Sequence, residues 1–307
     1  MVVMKRKKAK QGGELESQLR LACNAADLVR IDELLKAGAN PNLRCIGFRD
    51  LPLQYASSYG NHDVVRALLR GGADPNALNE YGTSPLQYAA SGDDADLVDL
   101  YVEFGGDIHA LDTHGWDCLQ RAALSGYPQT VARLIELGAE VNRFEENSRR
   151  IAPLAAACTS ASNDPECLRL LIKAGANPDH REGDGRTAMH LAAGRGAVDF
   201  MEILFEGGAK LDSNPLCKGG MLHESCRADH ARATLWLLDK YGLEADVRIG
   251  GRTLMQLFSS KPAAKAQIKE RLRSLASEEV AVQLQDIMNG GAARILSGSG
   301  RGASLSL

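Results

Sequence analysis

The sequence predicts an all-α solenoid, and three observations carry that reading. First, the apolar pattern Leu51-Pro-Leu-Gln-Tyr-Ala56 returns as Ser84-Pro-Leu-Gln-Tyr-Ala89 and Asp117-Cys-Leu-Gln-Arg-Ala122, each 33 residues on. It continues as Ala152-Pro-Leu-Ala-Ala-Ala157, Thr187-Ala-Met-His-Leu-Ala192, Gly220-Met-Leu-His-Glu-Ser225 and Thr253-Leu-Met-Gln-Leu-Phe258, at steps of 35, 35, 33 and 33. Such a period is the signature of a repeat architecture. Second, a turn pattern keeps phase with it: Gly38-Ala-Asn-Pro-Asn42, Gly72-Ala-Asp-Pro-Asn76, Gly138-Ala-Glu-Val-Asn142, Gly175-Ala-Asn-Pro-Asp179 and Gly208-Ala-Lys-Leu-Asp212. Third, the stretches before those glycines have helical periodicity, as in Leu97, Leu100, Tyr101 and Phe104, or Phe200, Ile203 and Leu204.

Each unit therefore reads as helix, turn, helix, turn. The glycine ends the second helix, because only glycine enters the left-handed conformation there without steric cost, and Asn, Asp and Pro then suit a tight turn. The first helix carries Ala89-Ala90, Ala122-Ala123 and Ala192-Ala193, small side chains that let neighbouring helices approach closely. A unit of 33 residues cannot bury its apolar face alone, so stability comes from neighbour interfaces and the ends need caps.

Along the chain, residues 1–14 are expected to be a basic, disordered tail, followed by repeats over 15–260. The first pair within that span is a cap, with Leu19, Leu21 and Ala22, then Val29, Ile31, Leu34 and Leu35, as its apolar face. Residues 261–289 form a capping or docking helix on the spacing of Ile268, Leu272, Leu275, Val280, Leu284, Ile287 and Met288, and 290–307 a Gly/Ser-rich disordered tail. One 35-residue step lengthens the turn between Asn142 and Pro153. The other lengthens a loop between Ala157 and Leu168, where Asn163-Asp164-Pro165 reads as a capped helix start.

Thr187-Ala-Met-His-Leu-Ala-Ala193 and Ser84-Pro-Leu-Gln-Tyr-Ala-Ala90 resemble the Thr-Pro-Leu-His-x-Ala-Ala hallmark of the ankyrin repeat family, over about residues 15–275. The resemblance implies an ankyrin repeat stack of helix-turn-helix units joined by β-hairpin-like fingers and capped at both ends. Two departures stand out. Gln54, Gln87, Gln120 and Gln256 replace the hallmark His, which survives as His190 and His223, so fewer capping hydrogen bonds are expected; Arg121 replaces an apolar residue and is expected to expose a charge.

The resemblance also implies a concave surface, made by the fingers and the exposed side of the first helices, that binds partner proteins. Its candidate residues are Phe48, Tyr81, His114, Trp116, Arg149, Arg150 and Arg186 on the fingers and Tyr59 and Arg195 on the helices, with Arg49, Glu80 and Asp184, and Ser91, Leu124 and Ser125, beside them. Trp, Tyr and Arg dominate interface hot spots, so the aromatics of the first full repeats mark the expected groove. The expected function is a scaffold, adaptor or inhibitory subunit. A substrate-recognition subunit of a larger complex, such as a ubiquitin ligase, and a nuclear regulatory factor are the alternatives.

Other classes find little support. Net charge is −3, and Lys5, Arg6, Lys7, Lys8 and Lys10 supply five positive charges, which leaves −8 on the rest. An acidic body argues against nucleic acid as a partner, although Lys5-Arg-Lys-Lys8 resembles a nuclear import signal. Seven scattered cysteines without a C-x-x-C pair suggest a reducing compartment, cytoplasmic or nuclear. No run of 18 to 20 apolar residues suits a membrane span. His223, Cys226 and His230 share one helical spacing, but repeat packing accounts for the first two, so no metal and no cofactor are expected. No P-loop, dinucleotide fingerprint, H-E-x-x-H or nucleophile elbow is present, and no enzyme activity is expected.

Overall fold

The computed structural model describes residues 2–43, 50–143, 151–212, 219–228, 230–242, 248–249 and 252–253, together with Ala266 and Glu270. The side chains of residues 2–12 are not among what it describes. The capping or docking helix expected at 261–289 and the Gly/Ser-rich segment 290–307 otherwise lie outside the described residues, as does the seventh apolar copy beyond Thr253.

Two compact units divide the chain, one of residues 1–192 and 199–210, the other of 193–198 and 211–307. In the first, helices come in antiparallel pairs: α1 (Val2–Asn24) with α2 (Leu28–Lys36), α3 (Pro52–Ser58) with α4 (His62–Arg70), and α5 (Pro85–Ala90) with α6 (Ala95–Glu103). Then follow α7 (Cys118–Ser125), α8 (Pro128–Glu136), α9 (Pro153–Thr159), α10 (Glu166–Lys173), α11 (Ala188–Arg195) and α12 (Val198–Glu206). The repeated apolar position of the first helices is core throughout this unit: Leu53, Leu86, Leu119, Leu154 and Met189 are buried. Each buried side chain of this size is worth about 1.5–3 kcal/mol.

Both turn signals act as read. Gly38, Gly72, Gly105, Gly138, Gly175 and Gly208 have φ of 93°, 87°, 86°, 90°, 88° and 93°. The residue after each returns its N–H to the helix, as in Ala73 N to Leu68 O at 3.0 Å and Gly106 N to Tyr101 O at 2.8 Å. The last residue of the turn then ties one repeat to the next. Asn42 Nδ2 donates to Gly72 O (3.0 Å) while its Oδ1 accepts from Asp74 N (2.8 Å), and Asn76 makes the same pair with Gly105 O and Asp107 N. Asn142 repeats it with Gly175 O and Asn177 N. The copy Gly105-Gly-Asp-Ile-His109 ends on His109; there Arg143 Nη1 donates to His109 O instead (2.9 Å).

Four expectations need correction. Helix α1 starts at Val2, inside the segment read as a disordered tail, because a Lys-, Arg-, Ala- and Gln-rich run is made of good helix formers. Leu21 and Val29, assigned to the cap's apolar face, are 61% and 72% exposed; that face is carried by Leu19, Ala22, Ile31 and Leu34. The helix expected to start with Pro165 in its first turn has Pro165 as its cap residue, with Asp164 Oδ1 accepting from Glu166 N (3.0 Å).

The fourth concerns the glutamines, which cost no capping bond. Gln87 Oε1 accepts from Ser84 N (2.8 Å), and its Nε2 donates to Ala110 O and Trp116 O, both at 3.0 Å. Gln54 and Gln120 act likewise. The longer amide thus caps its own helix and holds the next finger. His190 Nδ1 accepts from Thr187 N at 3.2 Å.

In the second unit α13 (Met221–Arg227) packs on α14 (Ala231–Tyr241), with Met221, Leu222, Ala233, Leu237 and Leu238 buried. Asp212 Oδ2 accepts from Met221 N (3.0 Å), and Asp212 N donates to Tyr241 Oη (3.0 Å). Strands β1 (Arg248–Ile249) and β2 (Arg252–Thr253) form a two-residue antiparallel hairpin at the finger preceding the seventh copy.

Candidate functional site

Three described fingers of the first unit are tight turns closed by paired backbone bonds. Asn79 N donates to Thr83 O and Gly82 N to Asn79 O; Asp112 N donates to Trp116 O and Gly115 N to Asp112 O; Glu182 N donates to Arg186 O and Gly185 N to Glu182 O. Buried polar side chains occupy one repeat position in these turns, Asn79, Asp112 and Glu182, and the first two anchor the turn they sit in. Asn79 Oδ1 accepts from Tyr81 N and Thr83 N, both at 2.9 Å. Asp112 Oδ1 accepts from His114 N (2.7 Å) and Trp116 N (2.9 Å). Glu182 instead accepts from Ala152 N of the preceding repeat (3.3 and 3.2 Å), and burial pushes its carboxyl up to about 7.

The first helices answer these anchors. Tyr88 Oη donates to Asp50 Oδ1 (2.9 Å) and accepts from Asn79 Nδ2 (3.1 Å), and burial with the Asp50 bond raises the phenol to about 12. Arg121, one repeat later, pairs through Nη2 with Asp112 Oδ2. The Asp112 side chain is 0% exposed and that of Arg121 26%, so the charge expected to be exposed is instead half-buried and neutralised by the finger anchor.

A cleft of about 260 Å³ opens at this pair, lined by Ser91, Asp112, His114, Trp116, Arg121, Leu124 and Ser125. It gathers His114 and Trp116, two of the expected partner-binding residues, with Ser91, Leu124 and Ser125 from the helices. Trp116 is half-buried and His114 exposed. Tyr81 is exposed on the adjacent finger, where its carbonyl accepts from Thr113 Oγ1 (2.5 Å). Tyr59, 70% exposed at the end of α3, lies against Tyr55 with ring centroids 4.7 Å apart and belongs to a separate aromatic pair. Arg186 is exposed and bonded to Asp184 through Nε at 2.7 Å, and Arg195 is half-buried in the second unit. Phe48, Arg149 and Arg150 lie outside the described residues, as does Arg49.

Asp112 was not among the expected site residues, and Arg121 was read only as a departure. The signal for Asp112 was the recurrence of a hydrogen-bonding side chain at 79, 112 and 182, in phase with the apolar pattern.

For chemistry other than binding, the described residues offer little. The five described cysteines, Cys23, Cys118, Cys158, Cys167 and Cys226, are buried, and burial holds the Cys167 thiol up to about 12. Among the described residues no group of three or more His, Cys, Asp or Glu side chains is placed to hold a metal. Cys226 Sγ lies 3.7 Å from Thr234 Oγ1, and His223 Nδ1 lies 3.7 Å from Glu224 Oε1. His230 caps α14, with its ring at the place where a side chain on Gly196 would go. No described helix is long and apolar enough to cross a membrane.

Stacked helix pairs with projecting turns and a side-chain cleft on the finger side define a repeat-built protein-interaction module. The chain belongs to the ankyrin repeat family: the family model "Ankyrin repeats (3 copies)" matches residues 19–100, 53–145, 90–179 and 154–249. The human BCL-6 corepressor-like protein 1 is 34% identical over 94 residues, 30% of this chain and 5% of that protein. The Arabidopsis thaliana ADP-ribosylation factor GTPase-activating protein AGD4 is 40% identical over 68 residues, 22% of this chain and 9% of that protein. This chain thus spans only a small part of either relative. The crystal structure of the ankyrin repeat domain of Bcl-3, described as a unique member of the IkappaB protein family, matches with a TM-score of 0.57 at 22% identity, over 83% of this chain and 97% of that one. That likeness concerns the fold.

Proposed function

We propose that this chain is a scaffold, adaptor or inhibitory subunit that holds a partner protein on the finger side of its first unit, acting by binding and not by catalysis. The observation that carries the reading is the cleft at Asp112 and Arg121, where Trp116, His114 and Leu124 converge from a finger and a helix. Exposed Tyr81 sits on the finger next to it. Half-buried aromatic and Arg side chains around a pocket are what interface hot spots are made of. The test is quantitative mass spectrometry of proteins co-purifying with wild type and with Tyr81→Ala/Trp116→Ala. Partners lost from the variant support the reading, and an unchanged set of partners removes this face as the binding surface.

A second reading, a nuclear regulatory factor, is favoured by the basic run Lys5-Arg-Lys-Lys8 and by the similarity to a corepressor-like protein. A fluorescent reporter fused to residues 1–14 that stays in the cytoplasm would rule out the run as an import signal.

A further inference from the structure

We propose that the cleft between the Tyr88 and Arg121 repeats takes one glutamate side chain from an extended segment of the partner. This rests on the protein-binding reading above and adds the chemistry of the bound group. The cleft's acceptors are used up and its donors are not. Asp112 is the cleft's carboxylate, and its oxygens already accept from His114 N, Trp116 N and Arg121 Nη2 while its side chain is wholly buried. It has nothing to offer a cationic guest, which would also face the Arg121 guanidinium.

The donors are in the opposite condition. The Arg121 side chain is 26% exposed, and Asp112 is the guanidinium's one partner among the described residues, which leaves the remaining Nη protons for a guest. Trp116 is bonded there through its main chain alone, its carbonyl to Gln87 Nε2 and its amide to Asp112. The His114 ring makes no hydrogen bond among the described residues. A purely apolar guest would cover these donors without satisfying them, which costs binding free energy. A carboxylate satisfies them, and a guanidinium with five N–H donors can serve two carboxylates at once. The walls set the length: the Trp116 ring and Leu124 can cover a short methylene stem, and about 260 Å³ has room for one side chain.

The experiment is a selection of random twelve-residue peptides displayed on phage against the full chain, followed by affinity measurements on synthetic versions of the best binders. The expected binders share a glutamate at one position. Its replacement by glutamine should weaken binding to wild type about tenfold and to Asp112→Asn/Arg121→Tyr less than twofold. That double variant copies the Asn79–Tyr88 bond of the preceding repeat, with Thr83 standing where that repeat has the Asp50 acceptor. Should it fail to fold, Trp116→Phe, which removes the indole donor and keeps an aromatic ring on the cleft wall, should cut the glutamate preference about threefold. Binders without a common acidic residue, or a preference equal in wild type and both variants, overturn the proposal alone. No binders at all, or binders indifferent to Tyr81→Ala/Trp116→Ala, overturn the protein-binding reading of this face and the proposal with it.

Discussion

The repeats built around Asn79 and Asp112 share a backbone plan and differ in what they place under the finger. In one, a neutral amide holds the turn and is answered by the Tyr88 phenol and Asp50. In the other, a buried carboxylate holds the same turn and is answered by a half-exposed guanidinium. Both arrangements satisfy the finger's backbone. The Asn79 version is closed on itself, whereas the Asp112 version leaves a guanidinium with one partner among the described residues at the edge of a cleft, so a substitution within the repeat turns a structural anchor into a candidate binding feature. Glu182 is a third solution at the same position, with its carboxyl turned to the preceding repeat.

Breaking the charged version should have the largest effect. Arg121→Leu leaves Asp112 buried without its counter-charge, and a loss of about 3 kcal/mol is expected in urea unfolding followed by far-UV circular dichroism. Tyr88→Phe, which removes the phenol's bonds to the Asp50 carboxylate and the Asn79 amide without stranding a buried charge, should cost about 1.5 kcal/mol in the same assay. Equal losses would mean that Asp112 is not desolvated as its burial implies.

Glu182 sharpens the comparison through pH. Its carboxyl ionises near the ordinary 4.5 when unfolded and at about 7 when folded, so the native state binds more protons between these values. Stability is therefore fully present below 4.5 and falls as pH rises through about 7. Glu182→Gln should gain about 1–2 kcal/mol over wild type at pH 8, allowing for solvent screening, and almost nothing at pH 4. A difference independent of pH would contradict the assignment.

Smaller effects follow from completing what one repeat lacks. His109→Asn should supply the inter-repeat bridge made by Asn42, Asn76 and Asn142, for about 0.5–1 kcal/mol of added stability. The smallest expected change is that of Asp112→Asn/Arg121→Tyr, within about 0.5 kcal/mol of wild type, because exchanging a buried ion pair for neutral partners of fitting shape is close to balanced. A larger loss would show that the two repeats are not interchangeable beneath their fingers.

Much of the fold was legible in the sequence because it rests on local rules repeated in phase. The Pro-Leu pattern marks first-helix starts, and the turn glycines have the positive φ expected of them. Part of the candidate cleft was legible as well: among the residues expected on the finger side, His114 and Trp116 line it with Ser91, Leu124 and Ser125. What escaped depended on partners distant along the chain. Gln87 looked like a weakened His because its bonds to Ala110 and Trp116 reach 23 and 29 residues onward. Arg121 looked like an exposed charge because Asp112 meets it only once the finger folds back over the helix. Leu21 and Val29 look apolar in any window, yet their exposure depends on which face the next helix covers.

The sequence by itself determined the repeat period, the helix starts that carry the Pro-Leu pattern, the turn glycines and the buried apolar ladder, since hydrophobic periodicity and backbone sterics act over a few residues. Tertiary structure alone decided that the anchors at 79, 112 and 182 find different partners, that the Arg121 charge is neutralised by a buried carboxylate, and that Trp116 and Leu124 wall one cleft. Hydrogen bonds and ion pairs between repeats depend on the placement of backbones tens of residues apart, which residue types in a window do not specify.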